Sequence, residues 1–480
     1  MRKPISPFAT VRTTVSTPRI NRRRFIYSSA IAAGALVTRL TPADAAPKLK
    51  SANEKLDIAC IGVAGWRGRQ DVSGMADPDG SGVPQQNIVA LCDVDQNNLG
   101  LWAKALPNAR HYSDYREMLE KERTIDAVSV TIPDHQHAVA TMLAMAAGKH
   151  VYCEKPLTRT IWEARHVTEA ARKYGVITQM GNQGHCGEGN RQLCEMIWAG
   201  AIGPVREVHF WTQRPAKVEG GPGWVQGHNR PTGEDPVPAT LNWDAWLGPA
   251  AKRPFVATWP EDKTVPVYLP HVWRGWWDFG CGAIGDMACH IMDGAYWALK
   301  LTSPTSVELV GSSARVKDMP PWASVIKFEF PARGDMPPCT LTWSDGGQKP
   351  PKPKEMEAEQ FEDDGALFVG DKGEIVTGVY GENPHLLPES LMVDYKRPPQ
   401  TIPRVPGNSP HQDFIRACKG GPAACSNFDI SGPFTETVLL GNLALRLGKK
   451  IEWDPVNLKC PNAPEADEFI KPVFRDGWKI

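Results

Sequence analysis

The length and charge of the chain indicate a large globular protein and exclude several kinds of partner. With 480 residues it is long enough for two domains, and its 54 basic residues balance its 54 acidic residues. No net field therefore recruits a nucleic acid or the surface of a membrane. The 43 glycines and 43 prolines, concentrated after residue 200, predict a second half rich in loops.

Residues 1–45 have the pattern of an export signal. Arg22-Arg23-Arg24-Phe25 precedes a short apolar run, and the small-residue site Ala43-Asp44-Ala45 predicts cleavage after Ala45. The arginines followed by phenylalanine resemble a Tat signal, which implies the Tat machinery as a partner and a periplasmic location, although Asn21 stands where serine or threonine is common. A basic tail is the alternative. No segment reaches the ~20 apolar residues of a membrane-spanning helix.

Strands alternate with helices from residue 55 to residue 182. Helical periodicity is clearest over His137–Ala147 and Ile161–Tyr174. The alternation predicts an α/β domain with a doubly wound parallel sheet. The predicted strands are Leu56–Val63, Ile88–Asp93, Ala127–Ile132, His150–Cys153 and Val176–Met180.

The pattern changes in the second half of the chain. Short segments with strand-like alternation are separated by stretches rich in proline and glycine, which predicts an α+β domain with an open, mostly antiparallel sheet over residues 183–455. Residues 456–480 are expected to be a C-terminal tail, and the open sheet makes a homo-oligomer an expectation. The predicted elements are strands at Val205–Thr212, Trp322–Phe330 and Thr340–Ser344, and closing helices at Ser409–Lys419 and Phe434–Leu447.

A glycine-rich turn follows the first predicted strand. Residues Gly62–Gly68 have the spacing G-x-x-G-x-x-G, with Ala64 in place of the middle glycine of the usual dinucleotide motif. Such glycines let the backbone approach a pyrophosphate at a helix amino terminus. The second strand ends at Asp93, whose carboxylate can bind ribose hydroxyls and would repel a 2′-phosphate, so NAD is favoured over NADP. The alternative is that Asp93 merely ends the strand.

Two further turns end strands at the same edge of the predicted sheet. Thr131-Ile132-Pro133 can line the cofactor, with His137 approaching the nicotinamide side, while capping of the next helix by Asp134 is a compatible alternative. Glu154-Lys155-Pro156 ends the fourth strand, and a lysine there lies in the crevice where open α/β sheets bind ligands. A solvated lysine at a strand end is the plainer interpretation.

Asp286 and His290 form a second constellation. Four residues apart on a helix, they share one face. A carboxylate beside an imidazole raises its basicity and orients it, which suits removal of a hydroxyl proton while a hydride leaves the same carbon. Metal binding and helix capping are the alternatives, but no further ligand cluster has suitable spacing, so no metal is predicted.

Together these motifs resemble the Gfo/Idh/MocA oxidoreductases, over roughly residues 55–455. The resemblance implies a Rossmann domain followed by a domain on an open antiparallel sheet, and hydride transfer between a sugar or cyclitol hydroxyl and a nicotinamide cofactor. It implies catalytic roles for Lys155, Asp286 and His290, with Asp286 orienting the other two, and substrate contacts at Asn182, Gln183 and His185. The predicted cofactor contacts are Gly62, Ala64, Gly65, Trp66, Arg67, Gly68, Asp93, Thr131, Pro133, His137, Glu154 and Lys155.

The distribution of tryptophans is a second indication of a sugar substrate. Ten of the 17 lie between Trp198 and Trp297, and an indole ring can stack on a sugar. Core packing is the more common role for any one of them. Trp273 and Arg274, close in sequence to Asp286, are predicted substrate contacts.

Two other functions remain open at this point: an NAD-dependent, redox-neutral glycosidase and a non-catalytic sugar-binding protein. Glycosidases on this fold generally lack the lysine found at Lys155, which favours the oxidoreductase. Because free NAD is scarce outside the cytoplasm, export would require a tightly bound cofactor inserted before translocation. The eleven scattered cysteines contain no C-x-x-C pair and argue against a disulfide framework.

Overall fold

The computed structural model describes residues 49–217 and 223–480. The predicted signal over residues 1–45 lies outside this part of the chain. Among the residues described, no helix has both the length and the apolar character needed to cross a bilayer.

The first domain alternates strands and helices. In chain order its elements are β1 (Asp57–Ile61), α1 (Gly65–Ala76), β2 (Asn87–Cys92), α2 (Gln96–Gly100), β3 (Arg110–Tyr112), α3 (Tyr115–Lys121), β4 (Ala127–Val130), α4 (Asp134–Ala146), β5 (His150–Glu154), α5 (Ile161–Tyr174) and β6 (Thr178–Gly181).

The six strands of this domain form one parallel sheet in the order β3-β2-β1-β4-β5-β6, which confirms the predicted doubly wound fold. The order reverses between β1 and β4, so a crevice opens there at the carboxyl ends of the strands. Every residue of β4 and β5 is buried because helices cover both faces of the sheet.

The second part of the chain surrounds a mixed sheet. Its elements are α6 (Glu188–Trp198), β7 (Val205–Trp211), α7 (Trp243–Leu247), α8 (Gly282–Ile291), α9 (Asp293–Ala298), β8 (Ser306–Ser312), β9 (Ser324–Phe330), β10 (Cys339–Ser344), β11 (Gly365–Gly370), β12 (Gly373–Thr377), β13 (His385–Leu387), α10 (Pro410–Cys418), α11 (Phe428–Leu447), β14 (Ile451–Glu452) and α12 (Asp467–Ile470). Short 3-10 helices span Gln183–Cys186, Val272–Gly275, Glu389–Val393, Pro406–Asn408 and Pro464–Ala466.

The eight strands of this sheet lie in the order β13-β12-β11-β7-β10-β9-β8-β14. Neighbours are antiparallel except β7 and β10, so the predicted, mostly antiparallel sheet is confirmed. Along β9 buried and half-buried residues alternate, with Ile326 and Phe328 facing the core and Lys327 and Glu329 on the other face. Self-association through that more polar face stays a prediction.

Two segments within residues 410–480, α10 and residues 456–480, pack against the first domain. On α10, Phe414 and Ile415 join the hydrophobic cluster of Ile58 in β1. Within residues 456–480, the segment expected to be a tail, Trp478 packs edge-on against Tyr115 with ring centroids 6.1 Å apart. Both segments therefore pack against the first domain and contribute to its core.

Helix α11 connects the two sheets. It packs against α5 of the first domain and α8 of the second, and Arg165 on α5 pairs with Glu436 on α11 at 2.7 Å. The sequence predicts its start at residue 434, after Pro433, but the helix begins at Phe428 and continues through the proline. The side chain of Asn427 accepts from the backbone N–H of Asp429 and caps the true start.

Candidate active site

Lys155 follows β5 directly, at the carboxyl edge of the parallel sheet, and contacts α8 of the second domain. Its Nζ lies 2.7 Å from Oδ1 of Asp286 and 2.8 Å from the main-chain oxygen of the same residue. Arg274 Nε donates to the same Oδ1 at 2.9 Å. The contact joins predicted catalytic groups that are far apart in sequence.

Asp286 is held as an anion by these two cations. Burial alone would raise the pKa of its carboxyl, but Lys155 and Arg274 outweigh burial and hold the pKa well below its ordinary value. The carboxylate therefore fixes the direction of the Lys155 ammonium group at neutral pH.

His290 lies one helical turn beyond Asp286 on α8. Its imidazole is buried, and its Nδ1 has no hydrogen-bond partner within residues 49–217 and 223–480. Burial and the nearby charge of Lys155 hold its pKa well below the ordinary value, so the ring is neutral and able to accept a proton. The carboxylate contacts of Asp286 described above run to Lys155 and Arg274, whereas the sequence predicts that Asp286 also orients His290.

The glycine turn between β1 and α1 fits a dinucleotide. Gly62 has φ +80°, and a Cβ there would lie 2.0 Å from the main-chain oxygen of Thr131. Gly68 is constrained to a smaller degree, since its Cβ would lie 2.9 Å from the oxygen of Gly62. Helix α1 begins at Gly65 with no side-chain cap from Ala64 and no acidic residue in its first turn. Its amino-terminal N–H groups suit a pyrophosphate.

Asp93 ends β2 beside this turn. Its Oδ2 accepts from the backbone N–H of Val63 at 3.1 Å, and its Oδ1 accepts from Asp95 N at 3.0 Å and Asn98 Nδ2 at 2.9 Å. A carboxylate offers about four acceptor positions, so room remains for a ribose hydroxyl. Burial raises the pKa of Asp93, and these hydrogen bonds oppose the rise.

Side-chain contacts connect the glycine turn to the residues that follow β6, through Trp66, Arg67 and Glu154. The indole of Trp66 is 65% exposed, with the Arg67 guanidinium 4.5 Å from its ring centre. Arg67 Nε lies 3.8 Å from Oε1 of the buried Glu154, whose pKa burial raises to about 7. Gln183 Nε2 donates to the same Oε1 at 3.2 Å. The predicted cofactor and substrate residues thus meet at Glu154.

The three predicted substrate residues after β6 differ in their surroundings. Among the described residues, Asn182 Nδ2 and Gln183 Oε1 are buried polar atoms without partners, as a site for a ligand with many hydroxyls would leave them. His185 already has partners within the protein, because its Nδ1 lies 2.9 Å from Asp293 and its ring stacks on Trp297. Burial alone would lower the pKa of His185, but the Asp293 carboxylate raises it to about 9.

The ring of His137 lies between two turns of the first domain. Its Nδ1 lies 2.8 Å from the main-chain oxygen of Pro156 and its Nε2 lies 2.7 Å from that of Ile132. Burial lowers its pKa to about 4. Both ring nitrogens thus face main-chain oxygens of the turns after β4 and β5, and the neutral imidazole can donate to only one of them. Pro133, in the first of these turns, immediately precedes α4.

Most of the tryptophan cluster is hydrophobic core. Trp246, Trp259, Trp273 and Trp276 belong to one buried cluster, in which Trp259 stacks on Trp276 with centroids 5.9 Å apart. Trp273 is 9% exposed and supports the guanidinium of Arg274, 4.3 Å from its ring centre. Its contribution to the site therefore passes through Arg274.

Two side chains that the sequence did not single out adjoin the cluster. His271 lies with Nδ1 2.9 Å from Arg274, and burial together with that charge lowers its pKa to about 3. Tyr380, in the loop after β12, meets the ring of His290 edge-on at 4.9 Å. His271 lies two residues before Trp273 of the predicted Trp273-Arg274 pair, whereas no local motif in the sequence singles out Tyr380.

Comparison with known proteins identifies the family. Residues 56–182 match the model of an oxidoreductase family with an NAD-binding Rossmann fold, and residues 222–480 match the C-terminal alpha/beta domain of an oxidoreductase family. The chain belongs to the Gfo/Idh/MocA oxidoreductases. The resemblance inferred from the motifs is confirmed, and NAD is the cofactor of this domain.

Individual relatives match in part. D-glucoside 3-dehydrogenase of Escherichia coli is 33% identical over 137 residues, 28% of this chain and 38% of that protein. Inositol 2-dehydrogenase of Salmonella typhimurium is 32% identical over 124 residues, 25% of this chain and 37% of that protein. The chain thus spans less than half the length of these relatives.

A solved structure shares the fold over most of the chain. The WlbA dehydrogenase from Bordetella pertussis, in complex with NADH and UDP-GlcNAcA, superposes with a TM-score of 0.56 at 16% sequence identity. The match covers 84% of this chain and 99% of that one.

Proposed function

We propose that the protein transfers a hydride between a hydroxyl-bearing carbon of a sugar or cyclitol and NAD. The observation that carries the proposal is the 2.7 Å contact between Lys155, at the edge of the NAD-binding sheet, and Asp286, on the helix that presents His290. Relatives named for glucoside and inositol dehydrogenation support the substrate class.

Residues of the chain itself can accept and return the proton of the substrate hydroxyl. The neutral imidazole of His290 accepts the proton of the substrate hydroxyl, and the ammonium group of Lys155 donates a hydrogen bond to the oxygen that loses it. Asp286 holds that ammonium group in place. NAD, when bound, supplies the nicotinamide ring that accepts the hydride. In the reverse direction the protonated His290 returns the proton to the oxygen.

The proposal is tested by NADH formation with a panel of glucosides, free hexoses and inositols. For Lys155→Met and His290→Ala we expect kcat/KM to fall by roughly 100-fold or more, the usual share of positioned acid–base groups. Lys173→Met, at an exposed position of α5, is the matched control and keeps wild-type turnover. Unchanged turnover in the first two variants refutes the site, and release of a glycone from aryl glycosides without net NADH refutes the reaction.

We also propose that the protein is exported by the Tat machinery with NAD already bound. The arginines before Phe25 and the small-residue site at Ala45 support export, and the scarcity of extracellular NAD supports retention. Arg22→Lys combined with Arg23→Lys should leave the full-length chain in the cytoplasm, as fractionation would detect. Native mass spectrometry of the mature protein should find one nucleotide per chain. A nucleotide-free preparation that is active only with added NAD contradicts retention.

A further inference from the structure

Two cysteines beside the candidate site lie unusually close together. Cys186 ends the 3-10 helix Gln183–Cys186, Cys425 lies in the turn before α11, and their sulfur atoms are 3.2 Å apart. Both are free thiols. We propose that Cys186 and Cys425 form a redox-active dithiol, which closes to a disulfide when the protein meets a peroxide.

The two thiols have different surroundings, which assigns them different roles. Cys425 is partly exposed, while Cys186 is buried. The hydrogen bond from Cys186, helped by the charge of His185, lowers the pKa of Cys425 against the effect of burial. The same contact and burial hold the pKa of Cys186 well above its ordinary value. Cys425 is therefore the reactive thiolate, and Cys186 is the resolving thiol.

The chemistry balances with hydrogen peroxide as the oxidant. The Cys425 thiolate attacks one peroxide oxygen, the O–O bond breaks, and the released hydroxide leaves as water with a proton from solvent, so Cys425 becomes a sulfenic acid. The Cys186 thiol then loses its proton and attacks Sγ of Cys425. The S–O bond breaks, a second water leaves, and the S–S bond forms. Two thiols lose two electrons in all, and one peroxide is reduced to two waters.

A metal site is the competing interpretation, because Asp413 lies nearby and single ligand atoms of Cys186, Asp413 and Cys425 are all within 4.8 Å of one another. Asp413 is already committed: its Oδ2 accepts from the backbone N–H of Cys425 at 2.7 Å, and its Oδ1 pairs with Arg416. Two thiolates on tetrahedral zinc, with Zn–S bonds of ~2.3 Å, would also stand ~3.8 Å apart. The observed 3.2 Å favours the dithiol.

The position of the pair gives the disulfide a structural consequence. Cys186 ends the segment that carries Gln183 and His185, and Cys425 is followed by Ser426, whose hydroxyl donates to Asn182. Closure would tie together two segments that already meet around Asn182. The dithiol itself does not depend on the proposed reaction, so its test needs no substrate.

The test uses the mature protein, reduced, exposed to hydrogen peroxide, alkylated and digested without reductant. We expect a linked pair of peptides containing Cys186 and Cys425, lighter by two hydrogen atoms than the reduced pair and separated again by dithiothreitol. Cys186→Ser should stop at a sulfenic acid on Cys425 that dimedone traps, and Cys425→Ser should leave Cys186 unoxidised. Cys339→Ser, at another buried thiol, should leave the linked pair unchanged.

Three results would overturn the proposal, and the wild-type protein alone can produce each of them. The first is recovery of both thiols in alkylated, unlinked form after peroxide. The second is accumulation of sulfinic acid on Cys425 without the linked peptides. The third is zinc in the purified protein that protects both thiols until a chelator removes it, which would assign the cluster to a metal.

Discussion

The contact between Lys155 and Asp286 predicts a strong energetic coupling across the two domains. Their side chains are only 9% and 12% exposed. Asp286→Asn would leave Lys155 and Arg274 without their anion, and removal of one partner from a buried pair costs about 3–5 kcal/mol. Lys155→Met keeps an apolar stem and leaves Asp286 paired with Arg274, so we expect a loss of about 2 kcal/mol. The double variant should lose about 2 kcal/mol less than the sum of the two.

The free energies come from urea unfolding followed by both tryptophan fluorescence and circular dichroism, whose transitions must coincide for the analysis to hold. Arg206 and Asp371 provide the control cycle, because their side chains are 51% and 43% exposed. An exposed pair couples by less than about 1 kcal/mol. A coupling between residues 155 and 286 no larger than that of the control pair would refute the buried contact.

Three further predictions concern stability and cofactor choice. Because the pKa of His185 is raised from 6.5 to about 9, its contribution to stability is complete below pH 6.5 and is lost as the pH rises through 9. That loss amounts to about 3 kcal/mol of the unfolding free energy measured in urea. Asp293→Asn should abolish this pH dependence, and a variant whose unfolding free energy varies with pH as in the wild type would contradict the His185–Asp293 pair. Asp93→Asn should reduce the preference for NAD over NADP by about tenfold, or about 1.4 kcal/mol, in calorimetric binding; an unaltered ratio would show that Asp93 does not select the cofactor. Gly62→Ala should cost about 2 kcal/mol or more and weaken NAD binding, since its Cβ would meet Thr131. Gly65→Ala has the same backbone strain but no atom within 4 Å of its Cβ, so it should cost less, and equal losses would contradict the clash.

The regular elements could be predicted where burial follows one clear period. Helix α5 has the predicted bounds Ile161–Tyr174, because Thr160 and Glu163 form a capping box at its start and Gly175 ends it. Strand β3 was missed: it is three residues long, lies at the edge of the sheet and has no buried residue to create a pattern. A periodic pattern of apolar residues arises from burial, so it does not indicate a short strand that has no fully buried residue.

The positions of the candidate site residues could be predicted where they end strands or share a helix face, but spacing alone does not give the contacts between domains. Spacing links Asp286 with His290, whereas the contact of the Asp286 carboxylate with Lys155, which comes from another domain, was expected only from the family resemblance. Tyr380 reaches His290 only because the loop after β12 folds back over α8. Such contacts depend on how the two sheets are packed, which no local spacing in the sequence encodes.

The charge of Lys155 lowers the pKa of both Asp286 and His290, which leaves the two groups in different charge states. A cation stabilises a nearby anion, so it lowers the pKa of Asp286, and it opposes a second nearby cation, so it also lowers the pKa of His290. Asp286 is thereby ionised and His290 neutral at the same pH. One lysine thus prepares both the anion that holds its own ammonium group and the base that the proposed reaction requires. A neutral side chain at residue 155 would leave Arg274 to oppose the effect of burial on Asp286, and would leave burial as the main influence on His290.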